Sequence, residues 1–262
     1  GESWYGSGDF AKAASAYKAA YDKAGKTEIG ENALHKLAWS HLKAKQFPQA
    51  GDGFAQQLEA FPNGELSSDA TFLQGECWFK QKKWEAALPW YEKVIATQNP
   101  QYYALSLFRT GECQGKLEAW KKSQQIHEKV LADFPDFELR AEARYGAGWA
   151  LQQQGQLAEA IKQYELVTEE TQTETAAKAR FMIGECCFAK KEHKEATRHF
   201  LKAAYSYGHK EWSPMAFFEA GRCFEVLRDS AQAKNCYQQL VEKYGEHSKV
   251  RDARRRLAAL GG

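Results

Sequence analysis

Neither sign of charge is in excess in this sequence, and no long apolar run occurs. Lys and Arg number 36 against 34 Asp and Glu, a formal net charge of +2, so the strongly basic footprint of a dedicated nucleic-acid binder is missing. No stretch approaches the roughly 18 consecutive apolar residues of a membrane-spanning helix, and mean hydropathy is −0.66. Alternation of apolar and polar residues never persists over a useful length, so no sheet is expected. Two catalytic signatures, G-x-S-x-G and H-E-x-x-H, are absent. Gly111-Glu-Cys-Gln-Gly-Lys116 shares letters with a phosphate-binding loop, but its spacing is incomplete, Leu117 stands where Ser or Thr belongs, and the segment lies in a helical pattern. Neither an enzyme nor a bound cofactor is expected.

What is present is a repeat. The 262 residues, 44% apolar and 27% charged, suffice for one large folded domain or two ordinary ones. Gly75-Glu-Cys-Trp-Phe-Lys-Gln-Lys-Lys-Trp-Glu-Ala-Ala-Leu-Pro-Trp-Tyr91 lies over the segment from Gly1 to Tyr17 with matching residues or classes at most positions. A small residue recurs at Gly1, Ala38, Gly75, Gly111, Gly148, Gly184 and Gly221, in steps of 36 or 37 residues. Twelve residues on comes a second small residue (Ala13, Ala50, Ala87, Ser123, Ala160, Ala196, Ala233), and four further a ring (Tyr17, Phe54, Tyr91, His127, Tyr164, Phe200, Tyr237). Small residues at two fixed points let two helix backbones approach closely, and the ring fills the space they leave. Each repeat is therefore expected to be a helical hairpin.

Helix-end signals agree with this frame. Pro48 and Ser213-Pro214 fall where helices start, the serine as a candidate cap. Phe61-Pro62, Phe134-Pro135, Tyr207-Gly208 and Tyr244-Gly245 fall where second helices stop. Pro89 resists the pattern and is expected to delay or kink its helix.

This spacing of small, small, aromatic and Pro resembles the tetratricopeptide repeat family, over essentially the whole chain. The resemblance implies an all-α, right-handed superhelical solenoid of about seven stacked antiparallel helix hairpins, forming a single domain over residues 1–262. The first repeat, entered at Gly1, is expected to be truncated, as in a fragment of a longer array. Residues 248–262, with Arg251, Arg254, Arg255 and Arg256, read as a polar capping helix. The period exceeds the usual 34 residues. With the block Ala179-Arg-Phe-Met-Ile-Gly-Glu-Cys-Cys-Phe188, it looks like the long-period bacterial subgroup that includes the Tol-Pal-associated periplasmic coordinator and the outer-membrane assembly lipoprotein. That likeness suggests the envelope. Cys77, Cys113, Cys186 and Cys223, a column of thiols two residues after the glycines, suits a reducing compartment instead.

The cysteines read as small apolar fillers, since neighbouring helices lie about 8 to 10 Å apart and a disulfide needs Cα atoms within about 7 Å. Cys186, Cys187, His193 and His199 invite a zinc reading. Adjacent cysteines diverge on a helix, however, and His193 takes the slot of Phe10, Phe47, Trp84 and Trp120, so packing is expected there and no metal. The vicinal thiols stay open as a redox-sensitive spot.

In the family, positions three before and one after the repeat glycine face the inner groove of the solenoid. The first set here is Phe72, Phe108, Tyr145, Phe181 and Phe218, with His35 in the early repeat; the second includes Glu2, Glu76, Glu112 and Glu185. Four after the glycine come Tyr5, Phe79 and Phe188. The aromatics read equally as groove or as core between first helices. The glutamates read as exposed, because Glu is seldom buried unpaired. The basic residues with which some family members clamp carboxylate tails are missing at these positions. The expected function is a noncatalytic scaffold whose groove captures a protein or peptide segment that is apolar and basic, without nucleic acid. The alternative is a structural or assembly module, or a spacer, that self-associates through its array ends or bridges subunits in a larger array.

Overall fold

The computed structural model describes residues 1–261, and the regular structure among them is entirely helical. Seven pairs of helices follow one another. They are α1 (Glu2–Gly6) with α2 (Phe10–Ala24), α3 (Glu28–Lys43) with α4 (Phe47–Ala60), α5 (Ser67–Lys80) with α6 (Trp84–Thr97), and α7 (Tyr103–Lys116) with α8 (Trp120–Asp133). Then come α9 (Arg140–Gln153) with α10 (Leu157–Glu170), α11 (Glu174–Ala189) with α12 (His193–Ser206), and α13 (Trp212–Val226) with α14 (Ser230–Lys243). A last helix, α15 (Val250–Gly261), follows. The chain forms two compact units, Gly1–Ile126 and His127–Gly262, whose boundary falls within α8. Consecutive helices pack on one another from α1 to α7 in the first and from α9 to α15 in the second.

The small residues and the rings meet as their spacing requires. A Cβ added at Gly75 would come within 2.8 Å of the Tyr91 ring; at Gly148, Gly184 and Gly221 the rings of Tyr164, Phe200 and Tyr237 lie 2.9, 2.6 and 2.5 Å away. All four rings are fully buried. The second hairpin solves the same problem differently, because Ala38 replaces the glycine and Gly53 opposes it: a Cβ at Gly53 would lie 2.9 Å from that of Ala38. In the fourth repeat the ring is His127, which is buried and pushed down to about 4 by desolvation.

Every turn inside a hairpin carries one left-handed residue, seven positions after the small residue: Gly8, Lys45, Lys82, Glu118, Gly155, Lys191 and Arg228, with φ between 59° and 80°. Five are not glycine, at roughly 1 kcal/mol or more each. Asp9, Thr27 and Asp229 cap α2, α3 and α14 by accepting from Lys12, Gly30 and Gln232 N–H. Two expectations need correction. Ser213 is not a cap, since α13 starts a residue earlier and places Ser213 and Pro214 in its first turn. Pro89 does not delay its helix; α6 starts at Trp84, in register with its counterparts, and carries the proline inside. Packing of Ala87 and Tyr91, both fully buried, outweighs the one backbone hydrogen bond that proline removes.

All six cysteines are free and buried. Burial pushes the thiols of Cys77, Cys113, Cys186, Cys223 and Cys236 up to about 12, so they act as apolar filler. In α15, Arg256 bonds Glu225 at 2.6 Å and Arg255 bonds Asp252 at 3.1 Å, while Arg251 and Arg254 are exposed. No helix among the described residues is long and apolar enough to cross a membrane.

Candidate functional site

The aromatic residues three before the repeat glycine are taken up by packing. Phe72, Phe108, Phe181 and Phe218 are buried, and Tyr145 is half-buried. Phe72, Tyr145, Phe181 and Phe218 each lie on the ring of their own hairpin, with centroids 5.2 to 5.8 Å apart. Phe72 also stacks on Tyr102 at 5.0 Å and Phe181 meets Trp212 at 5.6 Å, rings of the following repeat. Of the two readings, core describes the four phenylalanines. The aromatics four after the glycine meet the first residue of the second helix edge-on: Tyr5 with Phe10, Phe79 with Trp84, Phe188 with His193, at 5.0 to 5.4 Å. These three remain half-buried.

Two of the four carboxylates one after the small residue, Glu2 and Glu76, share one arrangement that no single residue reveals. Glu2 accepts from Tyr17 Oη at 2.7 Å and from Lys36 Nζ. Glu76 accepts from Tyr91 Oη at 2.6 Å and from Arg109 Nε at 2.8 Å and Nη2 at 3.3 Å. In both, the hydroxyl comes from the ring of the same hairpin and the base from two positions before the small residue of the next first helix. Glu112 takes Arg109 Nη1 at 2.6 Å, and the guanidinium lies 4.9 Å from the Phe79 centroid. The expected exposure fails at Glu76, which is only 9% exposed, because the Arg109 guanidinium compensates its charge and the Tyr91 hydroxyl donates to it.

Glu185 departs from this arrangement. Its hairpin's ring is Phe200, which has no hydroxyl, and the position of Lys36 and Arg109 is held by Glu219. Burial, then Glu219, pushes the Glu185 carboxyl up to about 6 against Arg222 and Lys249. Arg222 Nη1 is committed to Glu219 at 2.6 Å. Burial also raises the Glu219 carboxyl, with Arg222 opposing.

In the first unit, Glu2, Tyr5, Tyr17, His35, Lys36, Trp39 and Lys43 line a cleft of about 370 Å³. His35 stands in its wall, buried, with Nε2 2.9 Å from Asp69 and Nδ1 3.0 Å from Gln57 Oε1. Burial would raise the Asp69 carboxyl, but His35 and Tyr102, whose hydroxyl donates to it, hold it below its usual value. Lys43 lies 5.1 Å from the Trp39 centroid. Asp69, Arg109 and Glu219 were not singled out from the sequence. Arg109 and Glu219 share one register, two before the small residue of their repeat, whereas Asp69 stands six before Gly75.

No group of three or more His, Cys, Asp or Glu among the described residues is placed to hold a metal. His193 packs on Phe188 instead.

Tandem hairpins keyed by a small residue and a ring define a helical-repeat protein. A family model described as tetratricopeptide repeat matches residues 35–103, 127–175 and 145–210, and a second of the same description matches 215–247. The chain belongs to the tetratricopeptide repeat family. No curated protein matches it. A tetratricopeptide repeat protein from Parabacteroides merdae superposes with TM-score 0.67 at 14% identity, over 100% of this chain and 96% of that one. Pseudomonas aeruginosa PilF gives 0.64 at 15% over 86% and 97%. YrrB, described as having an unusual peptide-binding site, gives 0.56 at 18% over 78% and 99%. At these identities the likeness shows the fold. Proteins of this family generally mediate protein–protein interactions and are typically noncatalytic.

Proposed function

We propose that this chain is a noncatalytic scaffold whose first-helix face captures a segment of another protein. The observation that carries the reading is the cleft of the first unit, where Tyr5, His35 and Trp39, from two successive first helices, form one aromatic wall. Such a wall takes an apolar side chain, and the polar rim orients the segment that bears it. Both ring nitrogens of His35 are already engaged, which leaves this imidazole no free nitrogen for acid–base chemistry. The peptide-binding site described for YrrB supports a segment as the kind of partner. The 36–37-residue period supports the long-period bacterial envelope subgroup. One continuous array over residues 1–262 belongs to the same reading.

Site-specific photo-crosslinking tests it. A crosslinker placed at Trp39, Phe79 or Tyr145 is expected to trap a partner, whereas one at the exposed second-helix positions Lys93, Glu165 or Asn235 is not. Adducts formed only from the second helices would overturn the assignment.

A further inference from the structure

The pair of hairpins α11–α12 and α13–α14 keeps the repeat's carboxylate and loses both of its internal partners. At Glu2 and Glu76 the carboxylate is closed by a tyrosine hydroxyl from its own hairpin and a base from the next first helix. At Glu185 those places hold Phe200 and Glu219. Glu185 is half-buried and has no hydrogen bond or ion pair among the described residues. Two carboxylates on adjacent first helices thus stand where the repeat elsewhere sets an ion pair.

The charged groups around them do not repair this. From α13, Arg222 bonds Glu219 and lies 5.4 Å from the Phe188 centroid. Lys249, just before α15, lies 5.0 Å from the Phe218 centroid. From α12, the ring facing the α11 backbone is the uncharged Phe200. Arg256, from α15, lies 5.6 Å from the Phe218 centroid and is bonded to Glu225; Arg222 is bonded to Glu219, and Glu185 is left without a bonded base among the described residues.

We infer that the contact between α11 and α13 is an acid-tightened joint, in which protonation of Glu185 removes the repulsion from Glu219 and draws the two hairpins together. The sign follows from linkage. The folded-state carboxyl titrates at about 6, above its usual 4.5. Its contribution to stability is fully present below 4.5 and is lost as pH rises through 6. His199, on α12, runs the other way: burial and Arg180 push it down to about 4, so its contribution is present above about 6.5 and lost on acidification. The Glu185 effect is therefore read as a difference between variants.

Amide hydrogen exchange of the full chain, corrected for intrinsic rates, tests the joint between pH 5 and 7.5. Relative to Glu185→Gln, opening of α11 and α13 in the wild type should rise about tenfold across this range. Glu219→Lys, which restores the arrangement of Glu2 with Lys36, should abolish that rise. An identical pH profile in wild type and Glu185→Gln would overturn the inference. So would a ¹³C titration of the wild-type Glu185 carboxyl centred at its usual 4.5, a readout that needs no variant to fold.

Discussion

Glu76 and Glu185 occupy the same place in the repeat and live in opposite circumstances. Glu76 is more deeply buried, yet three donor atoms from two residues satisfy it. Glu185 is half-buried, without a bonded partner, and raised toward neutrality. Burial alone does not decide how a carboxylate behaves; the register of the neighbouring repeat does. A base two positions before the next small residue makes the carboxylate structural, and a glutamate there makes it responsive.

The comparison can be broken most severely at Arg109. Arg109→Ala strands Glu76 in a buried site and should cost about 3 kcal/mol in chemical denaturation. Arg222→Ala, in the second unit, removes a partner from a more exposed pair and should cost about 1 kcal/mol. Equal losses would mean that the two sites are not different in kind.

A methyl group on the crowded glycines comes next. Gly184→Ala and Gly221→Ala drive a Cβ into the Phe200 and Tyr237 rings and should each cost about 2 kcal/mol. Ala38→Gly in the first unit, where the methyl already fits, should cost about 1 kcal/mol through backbone entropy and a lost contact.

The missing hydroxyl can also be supplied. Phe200→Tyr should place a phenol on Glu185, as Tyr91 does on Glu76, stabilising the second unit by about 1 kcal/mol and shifting the Glu185 titration down from about 6. A Glu185 titration left unmoved would show that the hairpins are not superposable at this point. The smallest effect belongs to the turns, where Lys82→Gly should gain about 0.5 kcal/mol in thermal unfolding, as relief of a left-handed φ is offset by a freer unfolded chain.

Much of this was legible in the sequence. The helical hairpins, the ring over the glycine and the filler role of the cysteines follow from period, size and distance. The left-handed turn residue was hidden because Lys, Glu or Arg holds it at five of seven turns, and composition does not mark such a residue. The tendency of a lone glutamate to lie outside misleads at Glu76. Its partner stands 33 residues away and becomes visible only when adjacent repeats are laid side by side. Ser before Pro suits a helix cap, whereas Trp212 continues α13 backwards and puts Ser213 inside its first turn. The phenylalanine ladder is ambiguous in the sequence because packing on the next repeat and lining a groove call for the same helical stripe. In the structure Phe72 and Phe181 meet Tyr102 and Trp212 of the following repeat.

The exchange between Ala38 and Gly53 limits the order in which such a repeat can change. With a Cβ at both positions, two methyl carbons would sit about 2.9 Å apart, so neither sequence reaches the other through the doubly substituted hairpin. The passable route runs through two glycines at once, a state that is looser and not blocked. A library that varies position 53 with Ala38 kept in place will therefore return mainly glycine there, and a side chain on the fourth helix becomes acceptable only together with glycine at position 38.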